Sequence, residues 1–313
     1  LEMFQQVLEL CRRKSSFYPY CSEAHLWIGH IQLMQSRWSQ ALKSYQRSLE
    51  YARNGQHEQA IANAHNGLAY YYFEQGDLAQ ATAFWEKALE LAEQLRDNRL
   101  IAKVNNNLGV VANVQGQWEK ALARYGESVP RFERLGDLRG LAETYHNMAM
   151  TYADAQRWAE AGVHYEKSYQ LAREVGDIRL QATVQLNRAE LYLTIGDHRV
   201  AEALCHQALR IFQSLEDHLG EAEVYRFLGM IHAQKEDWAT AKQHFEQSIR
   251  LNRKYKSPLC EAEAHLEYGR MLRKKGNLKS AIKQYQLALD LFSMLKAEHE
   301  VEKVRREMSS ISS

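Results

Sequence analysis

Seven alanines stand forty residues apart, at Ala41, Ala81, Ala121, Ala161, Ala201, Ala241 and Ala281, with no residue inserted or deleted between them. One globular core has no use for such regularity. A stack of like units requires it, because every unit must offer the same face to the next. Other columns keep the same phase. Twelve residues before each alanine comes a small residue: Gly29, Ala69, Gly109, Ala149, Ala189, Gly229 and Gly269. Four residues after it comes a ring, Tyr45, Trp85, Tyr125, Tyr165, Phe245 or Tyr285, with Cys205 in the remaining unit. Offsets of four and seven put these positions on one helical stripe. The small residues let two helix backbones close up, and the ring is expected to fill the hole left beside the next unit.

The 313 residues would accommodate two ordinary domains, but an unbroken repeat argues for one elongated domain. Apolar residues at 45% and charged residues at 25% are those of a soluble folded chain. A net charge of +1 leaves no global pull toward nucleic acid or an anionic membrane. No apolar run is long enough to span a bilayer. Cys11, Cys21, Cys205 and Cys260 show neither a paired motif nor metal-finger spacing, so a reducing cytoplasm is expected. Leu1 falls inside a helical pattern, which reads as a fragment with a further module upstream.

Each unit reads as helix A of about fourteen residues, a tight turn, and helix B of about seventeen. The first pair is expected over about 22–35 and 38–54. Gly76, Gly116, Gly196 and Gly276 stand where a left-handed residue ends helix A, with Asp77, Asp197, Asp237 and Asn277 as caps of helix B. Ser36, Gln156 and Glu236 replace the glycine, which predicts looser turns. A second turn reads Gly136-Asp137, Gly176-Asp177, Glu216-Asp217 and Ser257-Pro258. Residues 1–21 are expected to be a capping helix or repeat remnant plus linker, with Phe17, Tyr18, Tyr20 and Trp27 covering the open end. Residues 22–295 hold seven units, and 296–313 a charged capping helix and tail.

The run Asn107-Leu108-Gly109 through Gln115-Gly116, Ala121, Tyr125 and Ser128 resembles the tetratricopeptide repeat. So does Ala69, Tyr72, Gly76-Asp77, Ala81 and Ala88. The resemblance extends over residues 22–295. The unit is forty residues rather than that family's usual thirty-four, and the proline that ends helix B is absent. The long unit and its Gly-Asp linker are similar to those of spindle-orientation adaptors, kinesin light chains and bacterial peptide-sensing regulators. The resemblance implies an all-α, right-handed superhelical α-solenoid of seven helix-turn-helix repeats whose helices A line a concave groove.

On that geometry the groove is lined by Asn63, Asn66, Tyr70 and Phe73 in unit two, and by Lys103, Asn106, Asn107, Val110 and Asn113 in unit three. His146, Asn147 and Met150 follow in unit four, Asn187 and Glu190 in unit five, and Arg226 in unit six. Asparagine is a poor residue for a helix interior. An amide both donates and accepts, so a ladder of amides can hold the backbone of an extended peptide whatever its sequence. Tyr70, Phe73, Val110 and Met150 would take its side chains. Lys103, Asn107 and Asn147 match the first positions of the carboxylate clamp of chaperone-binding members, but Thr183 and Asn187 stand where its next cations belong. In unit seven Arg270, Arg273 and Lys274 face the groove, as candidates to hold an acidic segment or a terminal carboxylate.

No phosphate loop, nucleophile elbow or paired-histidine zinc helix occurs, so no enzyme, cofactor or metal is expected. The expected function is a cytoplasmic, non-enzymatic scaffold that holds a peptide or helical segment of a partner protein. The alternative is the peptide-sensing domain of a bacterial transcription or signalling regulator. Neither a membrane nor a nucleic acid is expected as partner. Self-association through the end repeats remains a third possibility.

Overall fold

The computed structural model describes residues 17–295 and 297–312. Among them are fifteen helices and no strand. The expected helix over residues 1–14 lies outside them. The chain divides into two compact units, one ending at His164 and one beginning at Tyr165.

The N-terminal unit contains α1 (Tyr18–Met34), α2 (Trp38–Asn54), α3 (Glu58–Glu74), α4 (Leu78–Gln94), α5 (Asn98–Val114), α6 (Trp118–Leu135) and α7 (Leu138–Asp154), and ends within α8 (Trp158–Glu174). The C-terminal unit continues with α9 (Ile178–Thr194), α10 (His198–Ser214), α11 (His218–Gln234), α12 (Trp238–Lys254), α13 (Pro258–Lys274), α14 (Leu278–Met294) and α15 (Glu298–Ser312). Helices A carry odd numbers and helices B even ones. In the N-terminal unit α1, α3, α5 and α7 touch in succession, and in the C-terminal unit α9, α11 and α13 do. No such run of contacts joins the helices B of either unit, so the helices A form its tighter row.

Helix starts fall every twenty residues, from Tyr18 to Glu298. Helix A therefore has seventeen residues, not fourteen, and begins four residues earlier than expected. Asp97, Asp137, Asp177 and Asp217 cap it: Asp137 Oδ1 accepts from Gly140 N at 3.0 Å and Asp217 Oδ1 from Gly220 N at 3.1 Å. The four residues after each Asp, which resemble a linker, form the first helical turn. The caps expected for helix B are also present, with Asp77 accepting from Gln80 N at 3.0 Å and Asn277 from Ser280 N at 3.2 Å.

The turns share one geometry. Residues 36, 56, 76 and so on to 276, one every twenty, all have positive φ. Six are glycines; the rest are Ser36, Gln56, Arg96, Gln156, Glu216, Glu236 and Lys256, with φ between 48° and 61°. The looser turns expected at Ser36, Gln156 and Glu236 do not occur. Arg37 N reaches Gln32 O at 2.8 Å, as Asp77 N reaches Tyr72 O at 2.9 Å. A side chain in the left-handed region costs about 1–2 kcal/mol. Packing of the flanking helices outweighs it.

All seven column alanines are fully buried, and so are the rings that follow them. The ring seats on the small residue of its own unit, not only beside the next unit. A Cβ on Gly109 would stand 2.4 Å from Tyr125, and one on Gly269 2.7 Å from Tyr285. Tyr45 alone of these rings also meets a glycine of the next unit, Gly67, at 2.8 Å. Cys205 takes the ring position as a buried free thiol that burial pushes up to about 12. Cys260 is free as well, but Cys21 is disulfide-bonded. The all-reduced set expected from spacing is thus corrected, since pairing follows approach in space. Tyr20 and Trp27 remain 61% and 49% exposed rather than covering an end. At the C-terminus Val304 of α15 is fully buried against the last pair. No described helix is long and apolar enough to cross a membrane.

Candidate functional site

In the N-terminal unit the row of helices A opens into a cleft of about 300 Å³. His30 and Tyr70 line it, forty residues apart; so do Asn66 and Asn106, and Lys103 and Glu143. Asn107, Phe132, Asp137, Arg139 and Gly140 complete it. The cleft is a crossing of repeat columns, made because helices A of successive pairs pack side by side.

Its amides are already engaged on one side. Trp85 Nε1 donates to Asn66 Oδ1 at 3.0 Å. Asn147 Nδ2 donates to Asn106 Oδ1 at 3.2 Å, bridging α7 and α5. Asn107 and the Tyr70 hydroxyl bond to each other, with Nδ2 at 3.0 Å. Burial raises the Tyr70 hydroxyl above its usual range and the Asn107 bond opposes the shift. Lys103 is exposed and has no ion-pair partner among the described residues.

The remaining expected groove residues of this unit lie elsewhere. Asn63 borders a separate opening with Tyr20, Glu23 and His57. Phe73 packs on Trp85, ring centres 5.8 Å apart, and Val110 packs on the Ala112–Ala121–Tyr125 cluster. Asn113 Nδ2 is held by Asp154 at 2.8 Å. His146 is buried, and desolvation brings it down to about 4. Met150 is 38% exposed. Sequence reasoning missed His30 and Arg139 as cleft residues. His30 was signalled by its forty-residue spacing from Tyr70. Arg139 sits in the first turn of α7, within the stretch that resembles a linker.

In the C-terminal unit Asn187 is half-buried and Glu190 exposed on α9. The expected anion-binding cations have partners of their own. Arg226 is paired with Glu223, lies 3.8 Å from Glu263 and covers the Phe227 ring at 4.6 Å. Against desolvation, which would lower it, those two carboxylates keep its guanidinium charged. Arg270 is paired with Glu267 and, from Nε at 2.8 Å, with Glu307 of α15. Arg273 donates to Ser310 Oγ at 3.2 Å, and Lys274 sits 3.9 Å from Glu236 and over the Trp238 ring. The charge is spent inside the chain because α15 stacks as a further helix A and carries Glu307 and Ser310 to that edge. One acidic group among the described residues, Glu223, Cys260 and Glu263, brings ligand atoms within 4.8 Å of one another. The Arg226 guanidinium already balances its two carboxylates.

One tetratricopeptide repeat model matches residues 60–134, 100–174, 140–204 and 180–254, and a second matches 228–293. The chain belongs to the tetratricopeptide repeat family. Its similarity to solved structures of like architecture is extensive in length and low in identity. The apo form of the quorum sensor NprR from B. thuringiensis is 19% identical, covering 93% of this chain and 81% of that one, with a TM-score of 0.75. A Rap protein complexed with Competence and Sporulation Factor is 13% identical over 94% of this chain and 98% of its own, at 0.62. BtubC (BKLC) from P. vanneervenii is 19% identical over 71% and 91%, at 0.57. At these identities the likeness is one of fold. A search of curated protein sequences found no match. Within the tetratricopeptide repeat family this chain is a long-unit member, its helices recurring every twenty residues without interruption.

Proposed function

We propose that the helix-A row of the N-terminal unit captures an extended peptide of a partner protein, without enzymatic chemistry. The orientation of the asparagines carries this reading. Trp85 Nε1 can only donate, so the atom of Asn66 that receives it is Oδ1, and the amide NH2 is left for the cleft. Asn106 has its oxygen occupied by Asn147 and offers its NH2 likewise. With the Lys103 ammonium, these NH2 groups give the cleft a row of donors beside the carboxylates of Asp137 and Glu143, while its amide acceptors point inward. Such a surface selects a ligand rich in acceptors. An extended main chain offers carbonyl oxygens at regular steps, so capture rests on backbone rather than on side chains. The tighter row of helices A gives the wall its concave side, and Tyr70 and Met150 supply apolar surface near the amides.

The fold shared, at 13% identity, with a Rap conjugation gene regulator solved in complex with the Phr* peptide supports this reading. The second reading, a peptide-sensing domain of a regulator, is favoured by the extent of the similarity to the quorum sensor NprR.

Substituting Asn66→Asp and Asn106→Asp tests the first reading. Aspartate still accepts from Trp85 and Asn147 but replaces both NH2 groups by acceptors. Phage-displayed random peptides selected on the unmodified chain are expected to lose at least about tenfold in affinity for the double variant, about 1.4 kcal/mol. Equal affinity, with unchanged helicity, would discard the donor wall. Hydrogen exchange with the selected peptide separates the two readings: protection confined to the cleft fits a scaffold, and protection spread along the chain fits a sensor.

A further inference from the structure

A second opening of the N-terminal unit, of about 440 Å³, lies between the N-terminal ends of α1 and α3. Asn63 on its wall stands one helical turn before the cleft residue Asn66, so opening and cleft are neighbours along α3. Their chemistry is reversed. In the cleft the amide oxygens are taken and the NH2 groups are offered. At the opening the offered groups are acceptors. Gln59 Nε2 donates to Asp97 Oδ2 at 2.7 Å, so Oε1 is the end left over. Glu23 and Asn63 form no hydrogen bond or ion pair with a described residue. Tyr20, one turn before Glu23 on the same face of α1, is 61% exposed. The helix ends here offer an anion little. Pro19 carries no N–H, and the Ala60 N–H is taken by His57 Nδ1 at 3.2 Å. A free carboxylate, two amide oxygens and an exposed ring around one opening suit a group that is positively charged, donor-rich and flat. A guanidinium has five N–H donors and no acceptor, pairs with a carboxylate through two parallel bonds, and lies against aromatic faces. An ammonium is a compact charge that would satisfy Glu23 and leave the ring and the amide oxygens unused.

We propose that this opening binds an arginine side chain of the peptide held in the cleft. Glu23 takes the guanidinium, Tyr20 covers its face, and Gln59 and Asn63 accept from its outer N–H groups. The inference rests on the reading of the helix-A row as a peptide groove and adds a residue type to it. Capture by main-chain carbonyls is blind to sequence, whereas a single arginine subsite beside the cleft fixes the register in which a peptide lies.

Acetyl-arginine methylamide and its citrulline counterpart, which keeps the shape and loses the charge, are titrated into the intact chain carrying isotope-labelled tyrosine. The Tyr20 resonance is assigned with Tyr20→Phe. A saturable shift of that resonance by the arginine compound is expected, with affinity at least about tenfold weaker for citrulline. Glu23→Gln, at an exposed position, is expected to abolish the preference for arginine over citrulline. The Asn66→Asp/Asn106→Asp chain should bind the arginine compound no more weakly than the unmodified one. Among phage-displayed peptides, those selected on the unmodified chain are expected to carry arginine at one fixed position, and those selected on Glu23→Gln at none. Equal binding of the two compounds, or selected peptides without arginine, overturns this inference and leaves the peptide groove standing. If no peptide is captured, the groove reading fails, and the titration still decides whether the opening holds arginine.

Discussion

Arg270 on α13 meets Glu307 on α15 across thirty-seven residues, the separation at which Tyr70 on α3 meets Asn107 on α5. The last helix is thus bound by the same helix-A contact used within the repeats, with an ion pair in place of a phenol and an amide. Replacing Glu307 by Ala should leave Arg270 half-satisfied and release α15. A loss of about 1–3 kcal/mol is expected, read as faster hydrogen exchange at Val304 and Met308 with the N-terminal unit unchanged.

Asn66 serves Trp85 as well as the cleft. Asn66→Ala should orphan the buried indole N–H and destabilise the fold by about 1–3 kcal/mol in urea unfolding. Asn66→Asp should cost far less, because the acceptor is kept. If both variants lose equal stability, the Trp85 bond is not the reason.

Two glycines in neighbouring helices should respond oppositely to alanine. A Cβ on Gly109 would enter the Tyr125 ring at 2.4 Å. Gly109→Ala should therefore overpack the pair and cost about 1–3 kcal/mol. Gly126, inside α6, has nothing within 4 Å of an added Cβ. Gly126→Ala should stabilise by about 0.5–1 kcal/mol. Thermal melts of the two variants give the comparison.

Acid should weaken the N-terminal unit. Burial lowers His25, His65 and His146 to about 4 from an ordinary 6.5. Their folded forms are neutral, while the unfolded chain takes up protons below 6.5. The stability they contribute is complete above pH 6.5 and falls as pH drops toward 4. The slope is about 1.4 kcal/mol per pH unit for each fully titrating group. Melting temperatures at pH 7.5 and 5 check this, and His65→Gln should flatten the dependence.

The forty-residue phase of Ala41 through Ala281 revealed the helix pairs, because small residues at close helix approaches tolerate no drift. The Asp caps were legible for the same reason: a short acceptor before a helix has one common use. Ser36, Gln156 and Glu236 misled, since the left-handed turn there is imposed by the packing of the helices on either side rather than by the residue itself. The wall asparagines were legible as positions but not as orientations. Which end of Asn66 or Asn106 faces the cleft depends on Trp85 and Asn147, nineteen and forty-one residues away. The partners of Arg270 and Arg273 were hidden in a tail that reads as a charged cap rather than as a helix A, although Val304 keeps the column of Val104, Val184 and Val224.

The left-handed residue recurs every twenty positions, whereas the side-chain chemistry recurs every forty. Backbone and chemistry therefore restrict length changes differently. Losing or gaining twenty residues would preserve every turn, yet hand each later helix A the duties of a helix B, and bring its ring to the column of His25, His65 and Asn105. A chain of this kind can shorten or lengthen in evolution only by whole pairs, and a cut of forty residues between equivalent turns should be the smallest deletion after which the remaining pairs still fit together.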